Sequence, residues 1–214
     1  MDILNSELAA NVANELLRIK AVKLQPNTPF TWASGWKSPI YCDNRKTLSY
    51  PDVRKLIAKG LAQGVREKFA DAEVVAGVAT GAIAVGLMVA EELGLPFIYV
   101  RPKPKEHGLG NQIEGFLPEN SKVVVIEDLI STGGSSLKAV DALRETTSEV
   151  LGMMAIFTYG FANADENFEK SGCEIYTLSN YSELVKLAVE SGYVSAEDLE
   201  QLNEWRKSPS TWKA

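Results

Sequence analysis

The sequence predicts an α/β fold with a central, mostly parallel sheet that is flanked by helices on both faces. Two observations predict it. Short strands rich in β-branched residues alternate with segments at helical spacing, and some strands, such as Val74–Val78, are apolar throughout, which is typical of a sheet covered on both faces. A chain of 214 residues suffices for one well-buried α/β domain, so residues 1–214 are expected to form a single domain.

The first 70 residues are predicted to hold two long helices separated by a small hairpin. Apolar residues at helical spacing predict a helix over residues 3–24. Residues 28–45 break this period with aromatic, glycine and proline residues, and predict two short strands joined by a turn. A second helix is predicted from residue 51 to about residue 69, with Pro51 in its first turn, where the missing N–H costs nothing.

The rest of the chain alternates strands with helices. Strands are predicted at residues 74–78, 97–100, 122–126, 150–157 and 174–178. Helices are predicted at residues 82–93, 134–146, 163–171, 181–191 and 195–206.

Composition excludes several classes of protein. A net charge of −6 argues against general nucleic-acid binding, which needs a basic face. No apolar run approaches the ~20 residues that span a bilayer, and the first residues do not resemble a secretion signal, so a cytoplasmic location is expected. Cys42 and Cys173 lie far apart in the chain and predict ordinary thiols in a reducing compartment.

The most informative segment is residues 122–136, KVVVIEDLISTGGSS. An apolar strand brings Glu127 and Asp128 to the carboxyl edge of the sheet, where ligands of open α/β sheets bind. The turn that follows carries four hydroxyl side chains and two glycines. Glycines allow close approach of the backbone to a ligand, and the N–H groups of the next helix favour an anion. Residues 131–135 are therefore predicted to form a phosphate-binding turn.

Two acidic side chains would normally repel a phosphate bound beside them. Their presence is explained if they bind a sugar. Carboxylates accept hydrogen bonds from a vicinal diol, and they also help to place Mg²⁺. The turn matches neither GxGxxG nor GxxxxGK[ST], which disfavours a dinucleotide fold and a P-loop. The alternative is a helix N-cap followed by a flexible turn.

The segment VVVIEDLISTGGSS resembles the phosphoribosyl pyrophosphate signature of the type I phosphoribosyltransferases, and that family has the fold predicted above. The resemblance implies that Glu127 and Asp128 bind the 2′ and 3′ hydroxyls of the ribose. It implies that the 5-phosphate is held by Ser131, Thr132, Gly133, Gly134 and Ser135. Leu129 and Ile130 belong to the same signature and are expected to contribute to binding of the donor.

The one long stretch without periodicity is residues 101–118, RPKPKEHGLGNQIEGFLP. Its prolines favour an extended chain, in which Lys103, Lys105 and His107 point to the same side. Such a row of cations suits a leaving group with several negative charges, whereas a solvated surface loop is the alternative interpretation.

This stretch resembles the mobile catalytic loop of the orotate phosphoribosyltransferases, RxKxKxHGxGNxIEG. The resemblance implies that Arg101, Lys105 and His107 contact phosphoribosyl pyrophosphate, with Lys103 close by. Lys105, His107 and Lys103 are thus the candidate catalytic residues. It also implies a homodimer in which the loop reaches the site of the neighbouring subunit. Well-known bacterial members carry a lysine at the position of Pro102.

Residues 30–45, FTWASGWKSPIYCDNR, resemble the N-terminal hood of this family, expected over about residues 1–50. Many members carry a lysine at the position of Ala33 and an arginine after the fourth long strand, and this chain has neither. The family implies an orotate contact for Ser131. Arg45 is the predicted partner of the orotate carboxylate, because arginine pairs with carboxylates bidentately, and Lys37 is the other cation nearby. The aromatic residues of the hood either stack on the base or form its core: Trp32, Trp36 and Tyr41.

Two more segments extend the resemblance over nearly the whole chain. Residues 79–82, ATGA, match a short backbone loop that holds pyrophosphate, and residues 201–207, QLNEWRK, resemble the family's C-terminal tail. The chain is therefore expected to transfer ribose 5-phosphate from phosphoribosyl pyrophosphate to orotate, with Mg²⁺ carried on the pyrophosphate and no metal ligand assigned in the protein. A purine salvage phosphoribosyltransferase and a non-catalytic regulator that binds the same donor are the alternatives, and the acidic composition disfavours the regulator.

Overall fold

The computed structural model describes residues 1–32, 34–103 and 112–213. Its strands are, in chain order, β1 Asp2–Ile3, β2 Val22–Leu24, β3 Phe30–Thr31, β4 Lys37–Ser38, β5 Ile40–Cys42, β6 Val74–Val78, β7 Phe97–Val100, β8 Ile113–Glu114, β9 Lys122–Ile130, β10 Glu149–Thr158 and β11 Ile175–Asn180. Its α-helices are α1 Ser6–Arg18, α2 Pro51–Lys68, α3 Ile83–Leu93, α4 Gly134–Arg144, α5 Ala162–Ser171, α6 Tyr181–Glu190 and α7 Asp198–Lys207, and a 3-10 helix spans Asn44–Ser49. None of these helices combines the length and the apolar character needed to cross a membrane.

The centre of the fold is a seven-stranded sheet in the order β1-β11-β10-β9-β6-β7-β8. All neighbouring strands are parallel except β8, which runs antiparallel to β7. Side chains alternate between the two faces, so Val75 packs on the side of α1, α2, α3 and α6, whereas Val74 and Ala76 pack on the side of α4 and α5. The predicted α/β fold with a mostly parallel sheet is confirmed.

Most predicted elements are found within a few residues of their expected bounds, and β6 and β7 match them fully. The largest difference in the core concerns β9, which continues to Ile130 instead of ending at residue 126. Pairing with β10 extends it, since Glu127 lies opposite Ala155 in the ladder. Glu127 and Asp128 thus belong to the strand, and the strand's geometry fixes their backbone.

The prediction of one helix over residues 3–24 is wrong. The helix begins after Asn5, whose side chain accepts a hydrogen bond from the Leu8 N–H, and Lys20 with φ 55° lies just beyond its end. The apolar residues that flank it belong to β1, which pairs with β11, and to β2, which pairs with β5. Periodicity alone cannot separate a helix from the short strands next to it.

Within the expected hood, about residues 1–50, β1 is an edge strand of the main sheet and α1 packs on β11 and α6. We keep the name hood for residues 22–50. It contains the antiparallel pair β2–β5 and the hairpin β3–β4. The segment predicted as one hairpin, residues 28–45, is thus divided, because β3 pairs with β4 whereas β5 pairs with β2 outside that segment.

The hood is attached to the core through an aromatic cluster. The ring of Trp32 lies 5.1 Å from Tyr159 at the end of β10 and 5.6 Å from Trp205 in α7. Trp205 is fully buried and also contacts Phe161 and Tyr181. The C-terminal helix therefore holds the hood against the carboxyl end of the sheet.

We expect Trp205→Ala to lower the free energy of unfolding by about 3–5 kcal/mol, because it removes a large buried side chain from a packed cluster. Urea denaturation monitored by far-UV circular dichroism measures the change. The control is Tyr193→Ala, which truncates an aromatic side chain that is 41% exposed. Its expected cost is less than about 1 kcal/mol. Equal losses in the two variants would contradict the role given to Trp205.

Candidate functional site

The site lies where the direction of the chain through the sheet reverses. Strands β6 and β9 are neighbours, but β6 leads through α3 to β7 on one side, whereas β9 leads through α4 to β10 on the other. In open α/β sheets, such a switch point leaves a crevice at the carboxyl ends of the strands, and ligands bind there. The segments that follow β6 and β9, together with the end of β9, form this crevice.

Two acidic residues occupy the carboxyl-terminal half of β9. Glu127 is 5% exposed, and its carboxylate accepts hydrogen bonds from the Ser136 hydroxyl at 2.7 Å and from the Asp128 N–H at 2.9 Å. Asp128 is half-buried, and its carbonyl accepts a hydrogen bond from the side-chain amide of Asn44 at 2.5 Å. Both acids are therefore held by contacts to neighbouring elements.

Burial determines the protonation of this pair. Burial, and then the charge of the adjacent Asp128, raise the pKa of Glu127 to about 8. Burial also raises the pKa of Asp128, although its hydrogen bond with Glu127 and the charge of Arg45 oppose the shift. One proton is thus retained near neutral pH, which lowers the electrostatic repulsion between the two carboxyl groups.

The turn after β9 has the geometry expected for binding a phosphate. Gly133 has φ +80°, and a Cβ at this position would lie 2.7 Å from the ring of Phe168. Among the described residues, no protein group accepts a hydrogen bond from the backbone N–H groups of residues 132–135, at the start of α4. The Asn167 amide donates to the Thr132 carbonyl at 3.0 Å and supports the turn from α5. These N–H groups remain available to an anion.

Residues 79–82, the predicted pyrophosphate loop, lie next to Asp128. The Ala79 N–H donates to the Val100 carbonyl at 2.9 Å, and the peptide bond between Ala79 and Thr80 is cis. A Cβ added to Gly81 would overlap the carboxylate of Asp128. The structure therefore brings this loop and the acid pair together, although about 50 residues separate them in sequence.

The predicted catalytic loop begins at the same edge of the sheet. The Arg101 N–H donates to the Gln112 carbonyl, and the Gln112 amide donates to the Arg101 carbonyl, so the two ends of the loop are joined. The Arg101 guanidinium lies 3.7 Å from the carboxylate of Glu114, which belongs to β8 within a stretch expected to lack regular structure. Lys103 is exposed, and Lys105 and His107 lie outside the described residues, so their catalytic roles stay predictions.

A cavity of about 270 Å³ lies between the hood and the ends of β9 and β10. It is lined by Thr31, Trp32, Tyr41, Cys42, Leu129, Ser131 and Tyr159. Ser131 therefore lies at the predicted base site, between this cavity and the phosphate-binding turn. Ile130 is fully buried and packs in the core, whereas its neighbour Leu129 faces the cavity.

Arg45 is engaged elsewhere. Its Nε donates to the carboxylate of Asp43 at 2.7 Å, and it does not line the cavity. Its predicted contact with orotate stays a prediction. Ala33 lies outside the described residues.

Sequence reasoning missed three polar residues that support the site: Asn44, Tyr159 and Asn167. Each is a single residue that lies far in sequence from the segment that it contacts or faces. No periodic pattern in the sequence indicates such a residue. Asn44 offered the strongest signal, because it lies within the segment that resembles the hood of the family.

The comparisons with known proteins agree with this geometry. Residues 47–189 match the family described as phosphoribosyl transferase domain. Over 201 residues the chain is 62% identical to the orotate phosphoribosyltransferase of Porphyromonas gingivalis, a match that covers 94% of this chain and 96% of that protein. This chain belongs to the orotate phosphoribosyltransferases.

Solved structures of orotate phosphoribosyltransferases have the same fold. The structure of the Aeropyrum pernix protein aligns with a TM-score of 0.74 at 28% identity, covering 86% of this chain and 99% of that one. The Mycobacterium tuberculosis protein in complex with 5-phospho-α-D-ribosyl 1-diphosphate aligns with a TM-score of 0.65 at 26% identity, covering 83% of this chain and 98% of that one. The fold is thus retained when most residues differ.

The raised pKa of Glu127 predicts how stability depends on pH. In the unfolded chain this carboxyl loses its proton near 4.5, whereas in the folded protein its pKa is about 8. Its contribution to stability therefore falls as pH rises between these two values. A glutamine amide can keep both partners, because its oxygen accepts from the Asp128 N–H and its nitrogen donates to the Ser136 hydroxyl oxygen, as the O–H of a protonated carboxyl does. We therefore expect Glu127→Gln to melt close to wild type near pH 5 and above it near pH 9, by roughly 2–4 °C for each kcal/mol of repulsion and desolvation removed.

Differential scanning fluorimetry of the ligand-free protein measures these melting temperatures. Glu119→Gln, which neutralises an exposed acid, is the control and should follow wild type at both pH values. A Glu127→Gln variant that melts below wild type near pH 9 would contradict the burial argument.

Proposed function

We infer that this chain transfers ribose 5-phosphate from phosphoribosyl pyrophosphate to orotate, giving orotidine 5′-phosphate and pyrophosphate in pyrimidine biosynthesis. The observation that carries this inference is the 62% identity to an orotate phosphoribosyltransferase over 94% of the chain. The geometry agrees, because the acid pair, the phosphate-binding turn, residues 79–82 and the cavity under the hood meet at one crevice.

Each part of the crevice suits one part of the donor. The free N–H groups at the start of α4 bind the 5-phosphate, and the carboxyl groups of Glu127 and Asp128 accept hydrogen bonds from the ribose hydroxyls. Residues 79–82 face the pyrophosphate, and the base occupies the cavity next to Ser131. The anomeric carbon then lies between the base and the pyrophosphate.

In the chemical step, a bond forms between orotate N1 and the anomeric carbon while the bond from that carbon to the pyrophosphate oxygen breaks. The electron pair leaves with pyrophosphate, orotate N1 gives up its proton, and the configuration at the carbon inverts. Glu127 and Asp128 hold the ring by its hydroxyls while positive charge develops on the sugar. Catalysis rests mainly on positioning and charge stabilisation. His107 or Lys105 is the candidate that protonates the departing pyrophosphate.

Mg²⁺ is proposed on the substrate pyrophosphate. Among the described residues no group of three acidic, histidine or cysteine side chains can hold a metal. The carboxylates of Glu127 and Asp128, combined with substrate phosphate oxygens, are nevertheless the donor set that Mg²⁺ commonly takes. When bound, the ion neutralises negative charge on the leaving group.

We expect the purified protein, with phosphoribosyl pyrophosphate and Mg²⁺, to consume orotate, measured as loss of orotate absorbance. Chelation of Mg²⁺ should abolish the reaction, and added Mg²⁺ should restore it. Hypoxanthine and uracil are the control bases. Turnover of hypoxanthine alone would indicate a purine salvage enzyme, and binding of the donor without turnover of any base would indicate a regulator.

We also propose a cytoplasmic homodimer in which each subunit supplies its loop cations to the site of the neighbouring subunit. Lys105→Ala should lower kcat by about 10²–10⁴-fold, as loss of a general acid does, while Asp128→Ala removes the group proposed to bind the ribose. A mixture of the two inactive variants, after subunit exchange, should be more active than either alone, because a mixed dimer contains one site with both residues intact. If loop and acids act in the same subunit, the mixture gains no activity, and gel filtration checks that dimers form.

A further inference from the structure

The proposed base cavity presents a problem of charge. All seven residues that line it are uncharged, and its volume of about 270 Å³ suits a single ring. Orotate carries a carboxylate, however, and a carboxylate removed from water without a partner is strongly destabilised. This inference rests on the proposed function. If orotate binds in this cavity, its carboxylate needs a positively charged partner at the edge of the cavity.

Lys37 lies at that edge. In the β3–β4 hairpin it is directly opposite Thr31, so both side chains project from the same face. The Lys37 ammonium donates a hydrogen bond to the Thr31 hydroxyl at 2.9 Å, and Thr31 lines the cavity. Among the described residues no acid pairs with Lys37, so its charge remains available to a ligand.

Arg45, which the sequence analysis predicted to pair with the orotate carboxylate, is less suitable. Arg45 already forms an ion pair with Asp43, and forming a new contact would require breaking it. Its side chain lies outside the lining of the cavity. Lys37 also lies outside the lining, but it forms no ion pair with the described residues, and it is hydrogen-bonded to Thr31, which lines the cavity.

Tyr159 provides a second group inside the same cavity. It is 3% exposed, and among the described residues nothing forms a hydrogen bond with its hydroxyl. Its ring packs on Trp32, Phe161 and Trp205, while Tyr41 and Cys42, which line the cavity, are among the groups that influence its ionisation. Because Tyr159 lines the cavity, its hydroxyl is available to donate a hydrogen bond to an oxygen of a bound pyrimidine ring.

We propose that Lys37 binds the carboxylate of the pyrimidine substrate at the mouth of the cavity, and that the Tyr159 hydroxyl donates to a ring oxygen inside it. Lys37 then determines the preference for a carboxylated pyrimidine, and Tyr159 contributes to binding of any pyrimidine nucleotide. The two roles make different predictions, since only the first depends on the carboxylate.

The test compares two nucleotides that differ in this group, orotidine 5′-phosphate and uridine 5′-phosphate, by isothermal titration calorimetry with the full chain. Lys37→Met should lower the affinity for orotidine 5′-phosphate by about 10-fold or more and leave that for uridine 5′-phosphate unchanged. Lys37→Arg, which keeps the charge, should retain part of the preference. Lys59→Met, an exposed lysine in α2, is the matched control and should behave as wild type. Tyr159→Phe should weaken both nucleotides to a similar extent without lowering the melting temperature.

Several outcomes would overturn the proposal. Equal losses for both nucleotides in Lys37→Met would mean that Lys37 only supports the hood, and no loss would mean that it does not contact the ligand. A selective loss in Arg45→Met instead would assign the carboxylate to Arg45. If wild type consumes orotate but Lys37→Met keeps the full preference, this inference alone fails. If wild type neither consumes orotate nor binds orotidine 5′-phosphate, the proposed function fails with it.

Discussion

Two adjacent carboxyl groups at the buried end of a central strand impose the strongest constraint on this structure. Glu127 and Asp128 lie next to each other in β9, and burial disfavours the charge of both. The Ser136 hydroxyl in α4 and the Asp128 N–H donate hydrogen bonds to the Glu127 carboxyl group, and Asn44 in the hood donates to the backbone carbonyl of Asp128. The Gly81 backbone approaches Asp128 so closely that a side chain there would overlap the carboxylate. Three segments are thus fixed around the acid pair, and they are the segments that the reaction needs.

The sugar end and the base end of the site have different supports. The sheet and the start of α4 hold the acids and the phosphate-binding turn, so this end is as rigid as the core. The base end depends on the hood, which the aromatic contacts of Trp32 with Tyr159 and Trp205 attach to the core. Because Tyr159 also lines the cavity, packing of the C-terminal helix and the shape of the base site are coupled.

This division suits a reaction that depends on positioning. In the proposed reaction, the donor is bound through its phosphate and hydroxyl groups and the base in a separate cavity, an arrangement that would fix the orientation of the reacting atoms. Arg101 and Gln112 join the two ends of the predicted catalytic loop, and Lys105 and His107 are the cations that the proposal assigns to it. Closure of such a loop excludes water, which otherwise hydrolyses an activated sugar.

The sequence by itself determined the α/β class, the positions of β6 and β7, the acid pair and the phosphate-binding turn. These features are local, because strand periodicity and a contiguous motif are written in neighbouring residues. Only the tertiary structure decided that the predicted helix over residues 3–24 divides into two strands and a shorter helix, since their pairing partners lie elsewhere in the chain. It also decided that Asn44 supports Asp128, that Arg45 is paired with Asp43, and that Lys37 is hydrogen-bonded to Thr31 at the cavity. Some of these contacts join residues that are distant in sequence, and others depend on whether a side chain is already paired with a neighbour. In both cases the packing of the whole chain determines which contacts form.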